Sequence, residues 1–187
     1  LANGALGDSD TYDIRRKLIE NDKVEVIIVL PREMFYSTDI SVTLWILNQN
    51  KKGGLYHKRQ LRNRTGEILF VDLRTWNQNI YEKKYVQFLP EQIKKVAEIY
   101  HTWQCIGTDG ASYAVPELYR SVSLKEIKDN DFSLVPSRYI EFIDRDKDID
   151  YERIMSDTAS VVANLLKRQT ENQKALKDAF KELGYEF

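Results

Sequence analysis

Val24-Glu25-Val26-Ile27-Ile28-Val29-Leu30, closed by Pro31, is the stretch that decides the fold. The run is short, rich in β-branched residues and almost continuously apolar, with no polar alternation. A strand with one wet face alternates, so an unbroken run describes a strand covered on both faces. Upstream, Thr11 to Asn21 has helical spacing: Ile14, Leu18 and Ile19 share a side, and Asp10 or Thr11 stands at the N-cap. Downstream, Val42 to Leu47 and Ile68 to Leu73 repeat the apolar pattern. Helix resumes at Glu91 to Tyr100 behind Pro90, a residue that the first helical turn tolerates. Helices around doubly covered strands make an α/β architecture.

Composition bounds the rest. The 187 residues are 42% hydrophobic and 30% charged, enough for a packed core and unlike a disordered tail. Net charge is −1, so there is no overall basic field, and any nucleic-acid contact must come from a local patch. A single cysteine, Cys105, excludes an internal disulfide and fits a reducing cytoplasm; no basic neighbour activates it. His57 and His101 lie far apart with no cysteine cluster, so no metal site is expected. No apolar run is long enough for a membrane helix. The opening Leu1 to Gly7 reads as the end of a strand and its exit turn, which leads us to expect a chain that begins inside a larger domain or follows a processed terminus.

Residues 150 to 183 contain neither proline nor glycine. Met155, Thr158, Val162, Leu165, Gln169, Asn172, Leu176, Ala179 and Leu183 recur at alternating spacings of three and four, apolar at both ends and polar in the middle. That heptad-like stripe describes one long helix docking on a partner through Met155, Val162, Leu165, Leu176 and Leu183; the alternative is a helix folded back on its own domain. The expected division is therefore 1–142 for the α/β part and 143–187 for the helical docking segment. Ser123 to Ile127 looks like a single serine-capped helical turn, and Phe132 to Phe142, which contains Pro136, like extended or irregular chain.

Four segments in order carry a resemblance. Ile14 to Asp22 leads into Val24 to Pro31; Met34-Phe35-Tyr36-Ser37-Thr38-Asp39-Ile40 and Val42 to Leu47 follow. Gly66 to Arg74 has the form G-x-x-L-F-x-D-x-R, and Val122 to Leu134 with Arg138-Tyr139 has the form V-S-L-x-E-I-x-x-N-D-F-x-L followed by Arg-Tyr. Together they resemble the C-terminal part of the methyltransferase (modification) subunit of type I restriction–modification systems, which are adenine-N6 DNA methyltransferases. The resemblance implies a partial S-adenosylmethionine-dependent, Rossmann-like sheet with flanking helices and a long C-terminal helix. It implies methyl transfer from S-adenosylmethionine to adenine by the intact subunit. Its partners would be DNA, a DNA-specificity subunit, a restriction subunit and a second methyltransferase subunit, in the cytoplasm and away from any membrane.

The family's glycine-rich cofactor turn and its Asn-Pro-Pro-Phe tetrapeptide are both missing here. No catalytic or cofactor-binding residue is therefore expected in this chain, which should be inactive alone and hold no S-adenosylmethionine. What the resemblance does place here is an aromatic for the extracted base: Phe35, with Tyr36 beside it. A methylase of an adenine amino group must take the base out of the stack, and an aromatic face restores part of the lost stacking. The alternative is that Phe35 anchors its loop to the core. Between Asn50 and Gly66 there are six cations and no acid: Lys51, Lys52, Lys58, Arg59, Arg62 and Arg64. The loop reads equally as a phosphate-binding segment or as a solvated connection. Trp45 is expected in the core, either Trp76 or Trp103 could pack a helix against the sheet, and Asp72 is expected as a turn former or hydrogen-bond anchor. A half-sheet would expose an apolar edge and self-associate or rearrange to cover it. The competing reading is a non-enzymatic DNA-binding or interaction module.

Overall fold

In a computed structural model, the described residues are 1–35, 37, 39–78, 80–81, 85–144 and 150–184. They form two compact units, Leu1–Ile143 and Asp144–Phe187. The first opens with a 3-10 turn, Asn3–Leu6, and then α1, Tyr12–Glu20. Three strands follow the expected runs: β1, Val24–Val29; β2, Thr43–Leu47; and, beyond a hairpin made of β3 (Gly54–Tyr56) and β4 (Arg59–Leu61), β5, Glu67–Asp72. A two-stranded ribbon, β6 (Ile80–Tyr81) and β7 (Tyr85–Val86), precedes α2, Pro90–Gln104. Then come β8, Ala114–Val115, β9, Tyr119–Ser123, and α3, Leu124–Asp129.

Among the described residues the main sheet has five strands in the order β2-β1-β5-β9-β8. β1 and β5 run parallel, pairing Val26 with Leu69 through Val29 with Asp72; every other pairing is antiparallel. All six residues of β1 are buried, as an unbroken apolar run requires. One core packs Ile27, Val29, Ile68, Phe70 and Val122 against Ile19 of α1, Ile127 of α3, Leu134 and Tyr139. The other packs Val26, Ile28, Leu69 and Val71 against Ile99 and Trp103 of α2. Trp45 and Trp76 are half-buried against these cores, and the indole of Trp103 donates to Ser121 Oγ at 3.0 Å.

The register slips between Val24 and Val26, and this bulge places Glu25. Its carboxylate, fully buried, receives Arg64 Nε at 2.9 Å, Asn48 Nδ2 at 2.7 Å and the Tyr100 hydroxyl at 2.9 Å. Ser123 caps α3 through the Glu126 amide, as its sequence indicates. The segment read as irregular contains a 3-10 turn at Pro136–Arg138. Tyr119–Ser123 was not foreseen as a strand: it mixes polar with apolar residues, Val122 entering one core while Tyr119 packs on the other and Ser121 is buried as the acceptor of the Trp103 indole.

β2 lies at the sheet's edge. Leu1 and Ala2 pair with its first residues, Leu1 and Thr43 exchanging backbone bonds of 3.0 and 2.8 Å. Ala2 thus makes a single bridge and the chain turns at once into the 3-10 helix Asn3–Leu6, while Leu44 and Leu47 remain half-exposed further along β2.

The second unit is described by α4, Tyr151–Glu182, a helix of 32 residues capped by Asp150, whose side chain accepts from the Arg153 amide. No residue within it is buried. No helix among the described residues is long and apolar enough to cross a membrane.

Candidate nucleic-acid interface

Because β1 and β5 are parallel, both deliver their C-terminal ends to one edge of the sheet, where open α/β sheets place their ligands. The loop leaving β1 carries Phe35. Its neck is closed by Leu30 N donating to Val42 O at 2.9 Å and Ser41 Oγ donating to Leu30 O at 2.6 Å. Further out, Arg32 Nη2 donates to Asp39 at 2.7 Å. Both partners are well exposed, so the pair shapes the loop and adds at most about 1 kcal/mol. Anchoring falls to Met34, which packs against the α2-side core, while the next side chain, Phe35, stays 48% exposed. Full burial of a phenylalanine is worth roughly 1.5–3 kcal/mol, and this ring forgoes much of it. Tyr36 lies outside the described residues.

β5 ends at the same edge in a clasp. Arg74 grips Asp72 with Nε at 3.0 Å from both carboxylate oxygens and Nη2 at 2.6 Å from one. That hydrogen bonding raises the Arg74 pKa against the opposing effect of burial. Asp72 also accepts from the Arg74 amide, so it is a turn former, as expected. Beyond it, Trp76 and Lys95, with Nζ 5.5 Å from the ring centroid, border a cleft of about 460 Å³. Neither feature is a fit for S-adenosylmethionine: the strand-end acid is neutralised, and the paired glycines, Gly53 and Gly54, belong to the β3–β4 hairpin at the other edge. Among the described residues no His, Cys, Asp and Glu side chains cluster as metal ligands do.

The basic segment needs correction. Lys51 is 3% exposed, ion-paired to Asp22 and donating to Val24 O and Glu67 O at 3.0 and 2.7 Å. Arg64 is fully buried on Glu25. Arg62 makes a two-pronged bond to Glu67 at 2.9 and 2.7 Å, and its Nε donates to Trp103 O at 2.6 Å. These three hold the segment to the core and are not available to phosphates. Their acids sit on other elements, so a scan of the loop alone finds no counter-charge. Lys52 and Lys58 are exposed and Arg59 is half-exposed. They too stand apart from Phe35: residues 48–66 join β2 to β5 at the edge where β1 begins. Six residues of strand, roughly 20 Å, separate the two features.

On α4, taken by itself, Met155, Val162, Leu165, Leu176 and Leu183 are between 47% and 72% exposed. Cys105 caps α2 and is exposed.

The first unit is thus a mixed α/β sheet with helices on both faces and a half-exposed aromatic on the loop that leaves β1. This chain belongs to the N-6 DNA methylase family, whose profile matches residues 1–148. It is 32% identical to the HindI type I restriction enzyme methylase subunit of Haemophilus influenzae, over 100% of this chain and 39% of that one. It is 26% identical to the MjaIX methylase subunit of Methanocaldococcus jannaschii, over 99% of this chain and 31% of the other. It thus spans about a third of the length of these relatives. The type I methyltransferase subunit of Streptococcus thermophilus shares the fold, with a TM-score of 0.58 at 22% identity over 75% of this chain and 25% of that one. The EcoKI M protein does so with a TM-score of 0.51 at 19% identity, over 96% and 43%. The expected methyltransferase-type α/β sheet is the fold observed, and family membership disfavours the unrelated-module reading.

Proposed function

We propose that this chain is the C-terminal part of a type I restriction–modification methylase subunit, and that Phe35 stacks on the adenine withdrawn from the duplex. The observation that carries the reading is the ring's placement: half-exposed, on a loop closed at its neck and braced by Arg32–Asp39, at the sheet edge where ligands bind. The reaction would be methyl transfer from S-adenosylmethionine to the adenine N6 amino group. On this reading the cofactor and the groups that hold the amino nitrogen would be supplied by a preceding region of the intact subunit. Here the chain's own part is to hold the base: the ring supplies a stacking face, and Met34 fixes the loop so that the face is in place beforehand. Tyr36 would flank the same base. Lys52, Lys58 and Arg59, at the far edge, would contribute at most sequence-independent phosphate contacts.

The stripe of α4 is the docking surface for the DNA-specificity subunit, which would carry target recognition; a second methylase subunit and a restriction subunit complete the assembly. The test uses this chain joined to the preceding region. Phe35→Ala should lower kcat/KM for adenine methylation by roughly 5- to 100-fold, the equivalent of one lost stack of about 1–3 kcal/mol. It should also abolish the fluorescence rise of 2-aminopurine at the target position, and Phe35→Trp should restore both. Unchanged kcat/KM and fluorescence in Phe35→Ala would rule out the stacking role.

A further inference from the structure

The β3–β4 hairpin is fastened over the last turn of α2, and between them lies a cleft of about 370 Å³. That volume falls in the range of ligand pockets, roughly 300–1,000 Å³. Arg62 N donates to Gln104 O at 2.9 Å, Leu61 bridges to Cys105, and Arg59 Nη2 reaches His101 O at 3.5 Å. The hairpin depends on Gly53: at φ +86°, a side chain there would meet the Arg62 and Leu61 carbonyls at 2.6 Å. His57 and Lys58, at φ 42° and 65°, make the tight turn.

Asn48, Asn50, Tyr56, Arg59, Tyr100 and Gln104 line this cleft. Asn48 and Tyr100 are committed to Glu25. Gln104 lines the cleft and donates its side-chain amide to Glu25 at 3.5 Å, which leaves its side-chain Oε1 as the acceptor that a ligand N–H can meet. The mouth offers the opposite chemistry. Tyr56 is 62% exposed, with His57 edge-on at 4.4 Å, and Arg59 and Lys58 follow at the turn. Arg59, reaching His101 O, offsets part of the partial negative charge of the α2 C-terminus. A flat aromatic face, a carboxamide acceptor and neighbouring cations are together the means by which proteins hold unstacked nucleotides.

We propose that this cleft binds a nucleotide, its base lying against Tyr56 with an N–H on the Gln104 side-chain Oε1 and its phosphate at Arg59 and Lys58. The nucleotide is either free or part of a single strand. The site lies at the opposite sheet edge from Phe35 and does not depend on the role given to that residue.

Calorimetric titration of the whole chain with the four 5′-mononucleotides, and separately with a short single-stranded oligodeoxynucleotide, tests it. Saturable binding is expected, weakened at least about fivefold by Tyr56→Ala or Arg59→Ala, since one base stack or one charged contact is lost. Tyr56→Phe should bind as the parent does, and Phe35→Ala should bind normally. Both cleft residues are at least partly exposed, so their variants should melt at the parent's temperature. Saturation by mononucleotides alone identifies a free nucleotide, and saturation by the oligonucleotide identifies a strand; both support the cleft. The proposal is overturned if neither saturates at about 5 mM, or if binding persists unchanged in both alanine variants.

Discussion

Replacing Arg64 by methionine would remove the cation that, among the described residues, touches the Glu25 carboxylate. Both side chains are fully buried, and Arg64 also donates Nη1 to Arg62 O at 2.6 Å and Nη2 to Asn50 O at 3.5 Å. A carboxylate stranded in this way costs about 3–5 kcal/mol. Asn48, Tyr100 and Gln104 still donate to it, which points to the lower end, about 3 kcal/mol. For a unit of this size that is a fall in Tm of roughly 10 °C. Urea unfolding suits the measurement, because the Trp103 ring lies 6.0 Å from the Arg64 guanidinium carbon and its emission reports on this core. The double variant Glu25→Gln/Arg64→Met removes both charges and keeps an acceptor for Tyr100 and Asn48. It should therefore regain about 2 kcal/mol of the loss, a coupling that only residues in contact show. Lys52→Ala, on the exposed side of the same loop, should stay within about 0.5 kcal/mol of the parent. Should Arg64→Met cost under about 1 kcal/mol, or the double variant show no recovery, the ion pair would not be what fastens this loop to the sheet.

Burial holds the Tyr139 phenol up at about 12, against 10.0 when unfolded. The folded chain therefore keeps this proton more tightly: stability is whole below pH 10 and is lost as pH rises through 12. Tyr139 should account for on the order of 2 kcal/mol of that loss, visible as a shallower alkaline decline of Tm in Tyr139→Phe. At the sheet edge, β2 should support concentration-dependent self-association in sedimentation, weakened by Leu47→Lys; a monomer at every concentration would count against an open edge. On α4, Val162→Asp with Leu165→Asp should abolish co-purification with the DNA-specificity subunit while leaving the melting of the α/β unit unchanged. Retained binding would mean that the stripe is not the docking face.

Two kinds of information separate cleanly in this protein. The local patterns in the sequence determined β1, β2, β5, α1, the Ser123 cap and the long α4, because apolar periodicity and capping chemistry act between near neighbours in the chain. Phe35 was singled out only through the family resemblance of its loop and flanking strands. Tertiary structure decided what the charges do. Lys51, Arg62 and Arg64 look like one basic loop with Lys52, Lys58 and Arg59, but Asp22, Glu25 and Glu67 arrive from other elements and draw half of it into the core. Electrostatic pairing and burial depend on separations in space, and chain spacing does not encode them. For the same reason Gln104 and Tyr100, unremarkable on a helix, line a cleft only once a hairpin forty residues upstream, by rough count, folds across them.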